Sequence, residues 1–330
     1  MNEFELIARL TKSLPTNQNV VIGAGDDCAV LDFGLPDRWL LFKTDAIVEG
    51  VHFTRDTAPE KIGHKALARC LSDIAAMAGT PAAALVTIAL PQQFDVKFVE
   101  AIYTGMNQLA QKHGTAVVGG ETTMNPERIL ISIALLGFVP RGKAVLRSGA
   151  KAGDEIFVTG ELGGSLAGRH LEFEPRLAEA RWLAENFPVH AMIDLSDGLA
   201  GDLRHILKTS RVGAELLKPA IPISHAAKLR ARGQARESMA ESSLPCSHEH
   251  GHKPAFVAAL TDGEDFELLF TVASNDAVKL LDAWKKQFPK LRLRCIGKIT
   301  AGESVTIRDK NTILPLTAHG YVHFTQSSRD

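Results

Sequence analysis

At 330 residues and 35.7 kDa the chain has room for roughly two domains at the usual ~150 residues each, with a sizeable core in either arrangement. Hydrophobic residues at 45% and charged residues at 23% exclude the disordered, fibrous and coiled-coil classes. With 37 basic and 38 acidic side chains the net charge is −1, so no global field draws the chain to nucleic acid or an anionic membrane, and neither is expected as a partner.

The first residues, MNEFELIARL, carry neither a basic segment nor a long apolar run, and four scattered cysteines, Cys28, Cys70, Cys246 and Cys295, do not make a disulfide framework. A cytoplasmic location is the expectation. Aliphatic and β-branched runs at 38–44, 82–90, 115–118 and 128–139, each bounded by Gly, Pro or Asp, predict buried strands. Between them, 60–78 and 95–113 repeat apolar residues at three and four, as in Phe98, Ile102, Met106 and Leu109, and predict helices. The uncharged run 74–94 is long enough to span a bilayer, but Gly79, Pro81 and Pro91 break it and a buried strand is expected instead. A Gly-, Lys- and Arg-rich stretch at 140–154 marks the domain junction, giving domains 1–140 and 141–330. The second half reads as a strand at 155–160, a Gly-Gly turn into a helix, a strand from 190 into a helix ending near 207, and a strand at 266–272. A helix at 275–287 and strands near 291–299 and 304–308 follow. Residues 231–253 are polar and breaker-rich and are expected to form a mobile loop.

The acids fall where these strands end: Asp26 and Asp27 in GAGDD, Asp45 and Glu49 in KTDAIVEG, Glu121 in VVGGETT, Asp194 and Asp197 in MIDLSDG. Carboxylates beside apolar strands are expensive to desolvate unless paired or metal-bound, and Asp73 lies inside an otherwise apolar helix. Any one of them also fits a turn residue or helix cap. As a set of hard oxygen donors without Cys or His, flanked by glycines, they point to a phosphorylated ligand held through Mg²⁺ rather than to zinc. No G-x-x-x-x-G-K-[ST] occurs, and no G-x-G-x-x-G follows a strand. TGELGGSLAG at 159–168 is either a glycine turn whose backbone N–H groups hold an anion or a tight strand-to-helix turn that needs glycine for its geometry. Arg147 and Lys151 supply nearby cations.

GAGDDCAV (23–30), KTDAIVEGVHF (43–53), GHKALARCLSDIAAMAG (63–79), GGETT (119–123), LRSGAKAGD (146–154), VTGELGGSLAG (158–168), IDLSDGLAGDL (193–203), DGEDFELLF (262–270) and GYVHF (320–324) follow one another in an order that resembles the thiamine-monophosphate kinase family. That family sits in a superfamily with aminoimidazole-ribonucleotide synthetase, selenophosphate synthetase and hydrogenase-maturation ATPases; VEGVHF, LSDIAAM and the closing GY-x-HF are its own. The resemblance implies an α+β protein of two α/β domains with mixed sheets flanked by helices. It also implies a homodimer paired through the N-terminal sheets, and Mg²⁺-dependent transfer of the ATP γ-phosphoryl onto thiamine monophosphate. By motif, Asp27, Thr44, Asp45, Asp73, Glu121, Asp194 and Asp197 match Mg²⁺ ligands, with Lys43 at a further ligand position. Tyr103, Gly120, Glu121, Arg147 and Ser196 match the nucleotide site, and His52, Glu264 and Tyr321 surround the thiamine phosphate. Asp45, Asp73 and Arg147 are expected to carry catalysis.

Three positions depart from the family pattern: Glu121 stands for Asp, Lys43 for a small hydroxyl residue, and Asp262-Gly263 for Gly-Gly. Two other readings stay open: a superfamily enzyme that uses ATP to activate an amide-like oxygen, and a catalytically silent nucleotide-binding protein. Cys246, His248, His250 and His252 have the ligand types of a zinc site, but alternate spacing in a polar loop favours none. Cys28 reads as a small buried residue rather than a nucleophile.

Overall fold

A computed structural model describes residues 3–240 and 253–321, so Cys246, His248, His250 and His252 lie outside the described residues. The chain forms two compact units, one of residues 15–146 and 171–186, the other of residues 1–14, 147–170 and 187–330, which includes the first helix, α1 (Glu3–Thr11).

In the first unit β1 (Val20–Ile22), β2 (Ala29–Leu31), β3 (Arg38–Val48), α2 (Pro59–Ala76), β4 (Thr80–Leu90), α3 (Val96–Lys112), β5 (Ala116–Met124), β6 (Leu130–Pro140) and α4 (Leu177–Asn186) follow in chain order. The sheet runs β1-β2-β3-β6-β4-β5. β3 and β6 pair antiparallel without a break, from Arg38 opposite Pro140 to Val48 opposite Leu130. In β6, Ile131, Ile133, Leu135 and Val139 are buried while Leu130, Ser132, Ala134 and Leu136 between them are only half-buried, the alternation of a sheet with one covered face. Helix α2 lies on that face, where the Ile74 side chain reaches Gly137. Two glycines let α3 press onto α2: a Cβ on Gly63 would come within 1.8 Å of the Ile102 carbonyl oxygen, and one on Gly105 within 1.9 Å of that of Glu60. Helix α4 buries Leu177, Ala180 and Leu183, and the segment before it is tied to α2 through His64 Nε2 and the Phe173 carbonyl oxygen, 2.8 Å apart.

The second unit continues with β7 (Asp154–Thr159), 3₁₀ turns Ser165–Ala167 and Arg169–Leu171, β8 (Val189–Asp194), α5 (Leu199–Ser210), β9 (Gly213–Leu217), α6 (His225–Ala240), α7 (Ala255–Thr261), β10 (Leu268–Ala273) and α8 (Ser274–Gln287). It closes with β11 (Leu293–Thr300), β12 (Val305–Asp309) and β13 (Thr312–Pro315). Its mixed sheet runs β13-β12-β9-β11-β7-β10-β8, with β12 parallel to β9 and the other neighbours antiparallel. Ile156, Val158, Ile193, Leu203, Ile206, Leu269 and Ile296 are among its core.

Four local expectations need correcting. β3 continues to Val48, so Asp45 sits inside a strand and not at its end, because the pairing with β6 continues past it. β5 continues through Glu121 to Met124, because Gly119 and Gly120 extend the chain at φ +149° and +155° and keep pairing with β4. A Cβ on Gly120 would lie 1.8 Å from the Val86 carbonyl oxygen. The Gly163-Gly164 turn leads into 3₁₀ turns and not an α-helix. Residues 231–240 belong to α6: the run HAAKLRARGQARESMA is rich in Ala, Arg, Lys, Gln and Glu, and these helix formers outweigh one glycine.

Candidate active site

Helix α2 carries Lys65, Arg69 and Asp73 at four-residue intervals, one stripe along the helix that faces the sheet. Each member meets a partner. Lys65 Nζ donates to the His52 carbonyl oxygen at 2.8 Å, Arg69 Nε lies 2.9 Å from Asp45 Oδ2, and Asp73 Oδ1 lies 2.8 Å from Lys43 Nζ. By register Lys43 stands opposite Leu135 and Asp45 opposite Ile133, both buried, which puts the two charged residues on the helix-covered face. Thr44, between them, stands opposite Ala134, and its hydroxyl lies 3.4 Å from Ser132 Oγ on the other face. Only its backbone is on the same side as the Asp45 carboxylate.

Carboxylate oxygens of Asp27 and Asp73 lie within 4.8 Å of one another, both residues being buried. Burial alone would discharge Lys43, but the charges of Asp73 and Asp45 outweigh it and push the amine well above its ordinary value. Lys43 is therefore an ammonium, with three donors and no lone pair to offer a cation. Next to this seam Cys28 donates its N–H to Met77 Sδ at 3.1 Å, and burial pushes its thiol well up, as a core residue requires. Glu49 is a structural acid: it pairs with Arg55 and accepts the Ile129 N–H at 3.0 Å. Its pKa is lowered because these bonds outweigh the opposing effect of burial.

Glu121 is exposed on β5, opposite Thr87 by register, and belongs to no cluster of three metal-ligating side chains among the described residues. Tyr103 is half-buried on α3, where burial raises its phenol pKa. His52 follows β3, and its Nδ1 accepts the Val48 N–H at 3.1 Å, which leaves Nε2 to carry the proton.

In the second unit the loop after β8 gathers the expected residues through the backbone. The Ser196 carbonyl accepts the Glu264 N–H at 2.7 Å and the Asp197 carbonyl accepts the Tyr321 N–H at 2.8 Å, so three distant motifs meet at one turn. The Glu264 carboxylate lies 2.8 Å from His170 Nδ1, and the Tyr321 side chain is exposed. Asp194 is buried at the end of β8, and Asp202 on α5 accepts the Asp197 N–H at 3.1 Å. Burial, then the charges of Asp197 and Asp194, push the Asp202 carboxyl far up, with the Arg147 charge opposing. So strong a concentration of negative charge on hard oxygens fits a divalent cation.

Both readings of the glycine turn hold: Gly163 and Gly164 take φ +79° and +69°, which favours glycine, and the anions their N–H groups hold are carboxylates of the chain itself. Gly163 N–H donates to both carboxylate oxygens of Asp265, at 3.0 and 2.9 Å, and Gly164 N–H to Asp262 at 2.9 Å. Asp262, a departure from the family pattern, also binds Arg230 at 2.7 Å and Lys253 at 2.6 Å and is engaged in holding the turn. Asp265 pairs with Arg169 at 2.5 Å, yet burial pushes its carboxyl up to about 7. Sequence reading missed Arg69, Lys65, Asp202 and Asp265. The first two were signalled by four-residue charge spacing inside an apolar helix, and Asp202 by an acid in the first turn of α5. No described helix is long and apolar enough to cross a membrane; the run 74–94 is the end of α2, a turn at Ala78 and strand β4.

Family models of the AIR synthase related proteins match both units: the N-terminal domain over residues 25–139 and the C-terminal domain over residues 151–310. The class is therefore that of the two-domain AIR synthase related proteins. The thiamine-monophosphate kinase of Rhodopirellula baltica is 38% identical over 321 residues, covering 95% of this chain and 93% of the relative, and that of Bacillus subtilis is 32% identical over 98% of this chain and 100% of the relative. A solved structure of AaThiL complexed with AMPPCP and TMP superposes with a TM-score of 0.77 at 30% identity, covering 98% of this chain and 97% of its own. The chain belongs to the thiamine-monophosphate kinase family.

Proposed function

We propose that this chain transfers the γ-phosphoryl group of ATP directly to thiamine monophosphate, giving thiamine diphosphate and ADP. The observation that carries the reading is the turn after β8: Ser196, Asp197, Glu264 and Tyr321, which match nucleotide, metal and thiamine-phosphate positions, are joined there by backbone hydrogen bonds. Joining two phosphates brings like charges together, so the task of the protein is neutralisation and in-line alignment. In the first unit Asp27, Asp45, Asp73 and Glu121 are proposed to bind Mg²⁺, with Thr44 contributing through its backbone; in the second unit Asp194 and Asp197 are proposed to do so. When bound, Mg²⁺ supplies charge neutralisation on the transferring group and geometry for the acceptor oxygen.

Arg147 is the proposed partner of the transferring phosphoryl group, since its planar guanidinium can meet two oxygens at once. Tyr103 and Gly120 line the nucleotide, the latter by backbone approach where no side chain fits. Glu264 faces the thiazolium charge, Tyr321 offers its exposed ring to the thiamine and His52 its Nε2–H to the phosphate. A general base is not required, because the acceptor is already an anionic oxygen. The enzyme works as a homodimer in the cytoplasm: Phe42 and Leu85, large and exposed, lie by register on the face of the first unit's sheet that α2 leaves open, and Val118 and Met124 are exposed on β5. Incubation with Mg²⁺-ATP and thiamine monophosphate is expected to yield thiamine diphosphate by chromatography, with thiamine itself a poor acceptor. No product across a range of Mg²⁺ and substrate concentrations overturns the reading.

A further inference from the structure

The carboxylates proposed to bind Mg²⁺ in the first unit are already faced by two cations of the chain itself, Lys43 on Asp73 and Arg69 on Asp45, both set between α2 and the sheet. The Lys43 contact is the more consequential. Its Nζ occupies Asp73 Oδ1 at 2.8 Å, and another oxygen of the Asp27–Asp73 pair lies within 4.8 Å of that carboxylate. The distance between an ammonium and the oxygen it binds leaves no room for a metal ion on the same oxygen lobe, and two cations a few ångströms apart in a water-poor cleft repel strongly. The lysine is not a surface residue that swings in by chance. It is fixed on the covered face of β3 by the pairing of that strand with β6, and its side chain is three-quarters covered.

We infer that the Lys43 ammonium is a resident cation of the carboxylate cluster, standing on Asp73 in place of one divalent ion, so that this chain binds one divalent ion fewer than its carboxylates would otherwise recruit. The inference rests on the proposal that these acids hold Mg²⁺, and it places positive charge near the reaction that no change in metal concentration can remove. Asp27, Asp45 and the second oxygen of Asp73 remain for metal. Arg69 approaches Asp45 from the helix, with Nε 2.9 Å from Oδ2, and partly neutralises that carboxylate without taking the place of an ion.

The test counts ions and needs no turnover. The full-length chain, stripped of metal, is titrated with Mn²⁺ and bound ions are counted by electron paramagnetic resonance, with and without AMPPCP. Lys43→Gln and Lys43→Ser are expected to bind one Mn²⁺ more per chain than the parent, and Lys43→Arg the same number as the parent. Equal counts in parent and neutral variants overturn the inference. A measurement on the unaltered chain covers the case in which the neutral variants do not fold: reductive methylation of Lys43, followed by mass spectrometry with and without saturating Mn²⁺. Unchanged protection is expected, whereas a tenfold faster reaction with Mn²⁺ means that metal displaces the ammonium and overturns the inference. Product formation is scored separately, so a chain that binds Mn²⁺ as expected but makes no thiamine diphosphate refutes the kinase reading and leaves this one standing.

Discussion

Asp45 and Asp73 are each paired with a cation of the chain and each proposed to bind Mg²⁺, so removing either is expected to cost twice. Asp45→Asn is expected to cut turnover by two orders of magnitude or more, through lost charge neutralisation. It is also expected to lower stability, because Arg69 then keeps its place between helix and strand without the carboxylate it pairs with. Steady-state kinetics and thermal melts on the same preparation separate the two effects; parent-like values of both would make Asp45 a bystander. Glu121 gives a cleaner test because it is exposed. Glu121→Asp should retain substantial activity with an altered Mg²⁺ requirement and Glu121→Gln should be severely impaired, as read from Mg²⁺ titrations of turnover. Undiminished activity of the Gln variant would take the residue out of the site. Asp265 makes a prediction about pH. Burial lifts its folded pKa to about 7, above the ordinary carboxylate value, so ionisation is harder in the folded chain than in the unfolded one. Its contribution to stability is therefore greatest below about pH 4 and is lost as pH rises to about 7. Between pH 5 and pH 7.5, Asp265→Asn should gain about 2 kcal/mol relative to the parent in denaturant titrations. A gap that does not move with pH would show the carboxyl to be ordinary.

At the scale of elements, the α2–α3 crossing is set by glycine, and Gly105→Ala forces a methyl group to within 1.9 Å of the Glu60 carbonyl oxygen. Helix propensity favours alanine, but backbone cannot retreat as a flexible side chain can, so the steric cost dominates. A loss of about 2 kcal/mol is expected, which for a unit of this size lowers the melting temperature by about 4–8 °C; a variant melting with the parent would mean that the helices part without penalty. The same helices show what a sequence makes legible. Their apolar periodicity is intrinsic and local, so α2 and α3 could be read within two residues of their ends. Strand ends could not, because β3 and β5 continue for as long as β6 and β4 offer partners, and pairing is not written in either strand alone. The position of Asp194 at the end of β8, with Asp197 in the turn after it, was legible because an apolar strand runs straight into both acids. Roles that depend on a partner far along the chain were not: Asp262 and Asp265 hold glycine N–H groups about 100 residues away, and Thr44 looked like its neighbours until register turned it to the other face.

For the whole molecule, the open face of the first unit's sheet carries the homodimer proposal. Leu85→Arg places a charge at its exposed centre and is expected to convert a dimer to a monomer in sedimentation experiments, leaving the melting of the first unit within about 0.5 kcal/mol of the parent as an exposed substitution should; a parent that sediments as a monomer would end the proposal. The weave of the backbone has a consequence of its own. Because the first unit takes in residues 15–146 and then 171–186, with 147–170 spent in the other unit, synthesis on the ribosome cannot finish that unit when its sheet is complete. A nascent chain must wait for α4, holding the seat of Leu177, Ala180 and Leu183 open to water until some 40 further residues have emerged, a delay of a few seconds at ordinary elongation rates. No single cut of the polypeptide yields either unit whole, so neither is expected to be released intact by cleavage at one peptide bond.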